Sequence, residues 1–173
     1  DDVRRAALHL DAYVRAHPDQ PMFRLQLADL YLRSGQAAEA KFHYERFARD
    51  AETGPAAVRP HLVTAHTKLM EIAQRRNDRF GELFHRGVGL LLIAKQIGTT
   101  TDADREFREE MLCKALKALQ DAKGMKPGDP LVRVQLAEAY AAGGNRRAAE
   151  AERAGARAGV VGGELTPAER GLE

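Results

Sequence analysis

The stretch His17–Ala40, HPDQPMFRLQLADLYLRSGQAAEA, returns near the other end of the chain as MKPGDPLVRVQLAEAYAAGGNRRAA over Met125–Ala149. Pro18 corresponds to Pro127, Pro21 to Pro130, and Gln26-Leu27-Ala28 to Gln135-Leu136-Ala137. Tyr31, Gly35 and Ala40 correspond to Tyr140, Gly144 and Ala149 at the same offset, without a gap. Self-similarity at a fixed offset is the mark of a repeat architecture, in which each unit buries its apolar face only by stacking on a neighbour. Here it predicts a stacked array of helical hairpins, a kind of array that commonly binds other proteins.

Composition supports the helical part of that reading. The 173 residues suit one domain or one short solenoid. Ala is abundant, and Ala, Leu, Arg, Glu and Gln are strong helix formers. No window alternates β-branched and polar residues, so strands are not expected. The 27 basic and 25 acidic side chains nearly cancel, which removes the electrostatic case for nucleic acid. Arg outnumbers Lys, a coding bias of bacterial appearance rather than a phosphate site.

A single cysteine, Cys113, excludes an internal disulfide, and its place after Met111-Leu112 predicts a buried, inert thiol. The longest apolar run, Val88–Ala94, falls well short of the roughly 20 residues that span a bilayer, so no membrane insertion is expected. The chain opens Asp1-Asp2 without Met, and is expected to be a piece of a longer protein. A cytoplasmic location is favoured, with the periplasm as the alternative if a signal or anchor once preceded it.

Pro, Gly, Asn and Asp cut the chain into about seven helices. The first spans about 3–16, with Leu8, Leu10, Tyr13 and Val14 as its apolar positions. The next two span about 21–33, with Pro21 at the first helical position, and 37–51. Then come 57–76, with Leu62, Ala65, Leu69, Ile72 and Ala73 inward, 79–97 behind an Asn77-Asp78 turn, and 103–123 capped by Thr100-Thr101-Asp102. A closing hairpin covers 130–142 and 146–158. Residues 159–173 form a Gly-rich tail, in which Leu165–Arg170 looks like the capped start of a further helix.

Each copy of the repeated block has Pro-x-x-Pro, then Leu-Ala-x-x-Tyr, then a Gly turn and Ala. This resembles the tetratricopeptide repeat, a helix-turn-helix unit. The resemblance covers the two outer blocks well and the middle weakly. It implies an all-α, right-handed superhelical solenoid of antiparallel hairpins over 1–158, with a half repeat at 3–18, full repeats at 21–54 and 130–158, and an atypical middle at 57–127. In the first repeat the packing roles fall to Leu27, Ala28, Tyr31, Gly35, Ala40, Tyr44 and Phe47. In the last they fall to Leu136, Ala137, Tyr140, Gly144, Ala149 and Ala156. In the half repeat Ala6 takes the small position. Two arrangements stay open in the middle: an inserted helix, or a variant hairpin made of 58–76 and 79–97. The segment 79–97 also reads as the first helix of a repeat, through Val88-Gly89 and Leu92.

The same resemblance implies a non-enzymatic protein-binding module, with a peptide held in a concave groove lined by the first helix of each repeat. The groove positions carry over to Met22, Leu25, Asp29, Leu32 and Arg33, to Thr64, Thr67, Glu71, Gln74 and Arg75, and to Leu131, Val134, Glu138, Ala141 and Ala142. Asp29, Glu71 and Glu138 form an acidic series beside apolar surface, which fits a partner with Arg or Lys and hydrophobic anchors. The plainer reading makes these acids solvated surface, paired at i+4 with Arg33 and Arg75. The groove lysine and asparagine that clamp a terminal carboxylate in chaperone-tail binders of this family are absent.

No catalytic, metal or cofactor constellation emerges. His61 and His66 are on different helix faces, and His9, His17, His43 and His85 lack an acidic or Cys partner at ligand spacing. There is no phosphate loop or nucleophile elbow, and Gly87-x-Gly89 sits within a helical pattern as a packing device. The apolar helix containing Val88, Leu90, Leu91, Leu92, Ile93, Ala94 and Ile97 is either central core or an interface. The second possibility motivates the alternative function: a scaffold that dimerises or docks on a neighbouring domain.

Overall fold

The computed structural model describes residues 2–161, and the expected further helix at Leu165–Arg170 lies outside them. The described residues form eight α-helices, one 3-10 turn and no strand. The approximate count of seven falls one short of the eight spans named from the sequence, each of which carries one of these helices. The chain divides into two compact units, Asp1–Asn77 and Asp78–Glu173.

In the first unit, α1 (Asp2–Ala16) packs on α2 (Pro21–Arg33), α2 forms a tight hairpin with α3 (Ala37–Thr53), and α4 (His61–Arg75) packs on α3. Pro21 starts α2 at the first helical position, where its missing N–H costs nothing. The fourth helix begins later than the sequence suggests. Pro60 lacks an N–H and its ring crowds the carbonyl of Ala56, so Ala56–Val58 stays a separate 3-10 turn. On α4, Leu62, Ala65, Leu69, Ile72 and Ala73 are buried as expected.

The first helix departs from its reading. Its buried face is Ala7, Asp11 and Val14, while Ala6 is exposed and Leu8 is 66% exposed. The helix is rotated by about one residue, or 100°, from an inward Leu8, so the small side chain that meets α2 is that of Ala7.

In the second unit, α5 (Arg79–Gln96) and α6 (Asp102–Met125) form the most closely packed hairpin, α7 (Pro130–Ala142) and α8 (Arg146–Val161) form another, and α6 packs on α7. In the middle of the chain, α5 opens a hairpin whose second helix is α6. Each start is capped. The Asp78 carboxylate accepts from Gly81 N, Thr101 and Asp104 form a capping box, and the Asp129 carboxylate accepts from Leu131 N and Val132 N. Leu83, Val88, Leu91, Met111, Leu112, Leu119, Val132 and Leu136 build the core, with Leu90, Leu92, Ile93 and Ile97 packed against it. The apolar α5 is thus a core helix.

Cys113 is exposed, contrary to the sequence reading. The inward positions of α6 are Met111, Leu112, Ala115, Ala118, Leu119 and Ala122, and Cys113 falls on the opposite side.

Gly87 sets the approach of α5 to α6. A Cβ there would lie 2.6 Å from Leu119 Cγ and 3.3 Å from the Ala115 carbonyl oxygen. Leu119 is fully buried and has no room to retreat. Gly87→Val is therefore expected to destabilise the second unit by about 2 kcal/mol, as overpacking does, measured by hydrogen exchange of the α5 and α6 amides. An unchanged exchange rate would mean that the contact is not close in solution.

Candidate binding surfaces

The repeated block produces the same local structure twice. In the first copy Ser34 N, Gly35 N and Gln36 N donate to the carbonyls of Leu30, Leu32 and Tyr31. In the second, Gly143 N, Gly144 N and Asn145 N donate to those of Ala139, Ala141 and Tyr140. Gly35 and Gly144 both stand at φ +80°, the left-handed residue that this helix-ending motif requires. Both glycines are exposed, so their role is the turn and not inter-helix packing. The remaining packing positions are inward: Leu27, Ala28, Tyr31, Ala40, Tyr44, Phe47, Leu136, Ala137, Ala149 and Ala156 are buried, and Tyr140 is half-buried, its hydroxyl accepting from Gln120 Nε2 at 2.8 Å.

The groove positions of the first unit are mixed. Met22 and Leu32 are half-buried, and Arg33 is exposed. Leu25 is 6% exposed and belongs to the core, because α2 is covered by both α1 and α3 and its apolar arc is correspondingly wide. Thr64, Thr67, Gln74 and Arg75 are exposed on α4. The Asp29 carboxylate accepts from the Tyr44 hydroxyl, and Lys68 Nζ lies 3.0 Å from Glu71. Burial first, then the bond to Asp29, holds the Tyr44 hydroxyl far above its ordinary pKa, and Glu71 adds to the effect. Arg33 and Arg75, the anticipated i+4 partners, form no ion pair among the described residues.

The groove positions of the second unit lie together on α7. Leu131 and Val134 are each 42% exposed, and Glu138, one turn further on, is ion-paired with Lys95 of α5. Ala141 is exposed and Ala142 half-buried. Residues 131, 134 and 138 follow i, i+3, i+7 and share one helix face. This is an apolar strip that ends in a charge pair bridging two helices.

A third feature was not anticipated. In the first unit a cleft of about 720 Å³ is lined by α1, α2 and α3, through Asp11, Arg15, Tyr31, Glu39, Phe42 and His43 among others. Asp11 is buried, pairs with Arg15 at 2.6 Å, and approaches His43 Nε2 at 3.9 Å. The Tyr31 and His43 rings stack at 5.4 Å. Burial lowers the His43 pKa, against the pull of Asp11, and raises that of Tyr31, with Asp11 next in importance. The available signal was the spacing Ala7-Asp11-Val14, which puts the acid on the small-residue face. Reading only the large apolar residues missed it.

Among the described residues no group of three or more His, Cys, Asp or Glu is arranged to hold a metal ion, and no helix is long and apolar enough to cross a membrane.

Two solved structures are similar to the chain. One is a crystal structure of MamA, with TM-score 0.45 and 16% identity over 94% of this chain and 91% of that one. The other is a crystal structure of MamA protein, with TM-score 0.44 and 17% identity over 91% and 82%. No family model matches the chain, and no curated protein matches its sequence. Likeness at this level carries no argument about family or function.

Proposed function

We propose that this chain is a non-enzymatic protein-interaction module, which holds a peptide or a segment of a partner protein against the exposed face of a hairpin-opening helix. The observation that carries this reading is the pair Leu131 and Val134, exposed side by side on α7 next to the Glu138–Lys95 pair. Apolar side chains left in contact with water on one face, rimmed by charge, are the composition of a binding patch. The partner segment supplies hydrophobic anchors for Leu131 and Val134. Its basic residue competes with Lys95 for Glu138.

Asp29, Glu71 and Glu138 are all engaged, by Tyr44, Lys68 and Lys95, so a basic partner residue has an internal partner to displace at each. The alternative is a scaffold that self-associates. The burial of the α5 apolar residues in a core moves that reading away from the Leu90 helix and onto the same α7 face.

Leu131→Asp with Val134→Asp tests the proposal. Both sites are partly exposed, so the fold should tolerate the change within about 1 kcal/mol. Partner binding is expected to fall at least tenfold, as it does when interface anchors are lost. Unaltered binding by a variant with an unaltered circular dichroism spectrum would exclude this face.

A further inference from the structure

We propose that the face shared by α1 and α2 in the first unit is a docking site for an amphipathic helix of a partner protein, one with a small residue at its centre and leucines one turn to either side. The site is separate from the α7 face and does not depend on it.

The repeated block carries the argument, because its register runs back into the helix before it. Pro18 and Pro127, which follow α1 and α6, bring Ala6 onto Ala115, Leu10 onto Leu119 and Tyr13 onto Ala122. Pro21 and Pro130 bring Phe23 onto Val132 and Leu30 onto Ala139 in the same way. In the second unit Ala115, Leu119, Ala122, Val132 and Ala139 are each 0% exposed. They share one core cluster with Leu83, Val88, Leu91 and Ala94 of α5. What covers this face there is α5, which packs on α6 and also reaches α7.

In the first unit the same face is open. Ala6 is exposed, Tyr13 is 39% exposed, and Leu10, Phe23 and Leu30 are half-buried. The face is continuous across the two helices, since the Tyr13 and Phe23 rings meet at 4.9 Å. The inward set of α1 is Ala7, Asp11 and Val14, so packing on α2 leaves Ala6 and much of Tyr13 in water. Ala40, Tyr44 and Phe47 of α3 repeat the spacing of Ala6, Leu10 and Tyr13, and all three are 0% exposed in the hairpin with α2. A stripe of this kind is thus covered by a helix wherever the chain supplies one, as stacked repeats require.

The second unit also shows the chemistry of the occupant. There α5 meets Ala115 and Leu119 through Gly87, where an added Cβ would lie 2.6 Å from Leu119 Cγ. Leu83 and Leu91, one turn to either side of Gly87, are buried. The outer side of α5 is polar, with Arg79, Arg86 and Lys95 exposed. A helix that fits the first unit therefore sets Gly or Ala against Ala6 and Leu10, flanks it with leucines, and keeps its charges outward. An amphipathic helix laid into an apolar groove is an established mode of recognition.

The test adds the α5 sequence, Arg79–Gln96, to the full chain as a synthetic peptide stapled on its polar side to hold it helical, and follows the backbone amides by NMR. Saturable shifts are expected in α1 and α2, and the Gly87→Leu peptide is expected to bind at least tenfold more weakly, as a misfitted interface anchor does. Ala6→Arg in the chain, an exposed change between good helix formers, should weaken the natural peptide by a similar factor with an unaltered circular dichroism spectrum. Leu131→Asp with Val134→Asp should leave its binding unchanged. No binding up to the solubility limit, shifts confined to α6 and α7, or equal binding of the two peptides would each overturn the proposal. So would a dimer of the chain that Ala6→Arg dissociates, because it would assign the face to a second copy.

Discussion

Tyr44→Ala is expected to destabilise the first unit by about 4 kcal/mol, the scale of removing a fully buried aromatic side chain. Tyr44 is 0% exposed on α3 and is among the largest fully buried side chains. Its hydroxyl is also the group that holds the Asp29 carboxylate. Two losses therefore combine, a cavity and a broken bond to a charged acceptor. Tyr44→Phe separates them: it keeps the ring and should cost about 1–2 kcal/mol, the worth of the hydrogen bond alone. Because the chain divides into two units, the readout is hydrogen exchange resolved by residue, with slowed protection lost in α2–α4. A cost for Tyr44→Ala near that of Tyr44→Phe would mean that the ring is not packed as described.

The second large effect is acid sensitivity centred on His66. This residue is 5% exposed on α4, and burial pushes its pKa down to about 4. In the unfolded chain a histidine titrates near 6.5. Between those two values the unfolded chain binds a proton that the folded chain does not, so stability is full above about pH 6.5 and falls as the pH drops towards 4. At about 1.4 kcal/mol per unit the loss over the window is about 3 kcal/mol. His43, lowered in the same direction, adds to it. Urea unfolding at a series of pH values, for the natural chain and for His66→Gln, measures the difference. The slope between pH 4 and 6.5 should be clearly shallower in the variant, and equal slopes would remove His66 as the cause.

Much of the fold was legible because it is written in local chemistry. Pro21, Asp78, Thr101 and Asp129 start helices by capping or by a prefixed φ, effects that need no knowledge of the rest of the chain. The repeated block was legible for the same reason: Gly35 and Gly144 both fall where a helix must end in the left-handed region. What periodicity could not supply was rotation. A step of one residue turns a helix face by 100°, enough to expose Leu8 and Cys113 and to bury Asp11 and Leu25.

The acidic series shows the other limit. Asp29 and Glu138 were identified by position, and the local i+4 rule offered Arg33 to Asp29 and no partner to Glu138, whose i+4 residue is Ala142. The structure gives Asp29 to Tyr44 on the next helix and Glu138 to Lys95 from a different hairpin. These are tertiary choices, made by helix packing. The α1–α3 cleft went unread for the same reason, since its walls come from three helices and its chemistry from small and polar residues between them.

The most direct test of the central proposal is capture of partners by the natural chain and by the Leu131→Asp, Val134→Asp variant side by side, with each captured protein then purified and its affinity measured by calorimetry for both forms. A partner is expected to bind the natural chain directly and at least tenfold more tightly than the variant. Partners that bind both forms equally, or association of the chain only with itself, would contradict it.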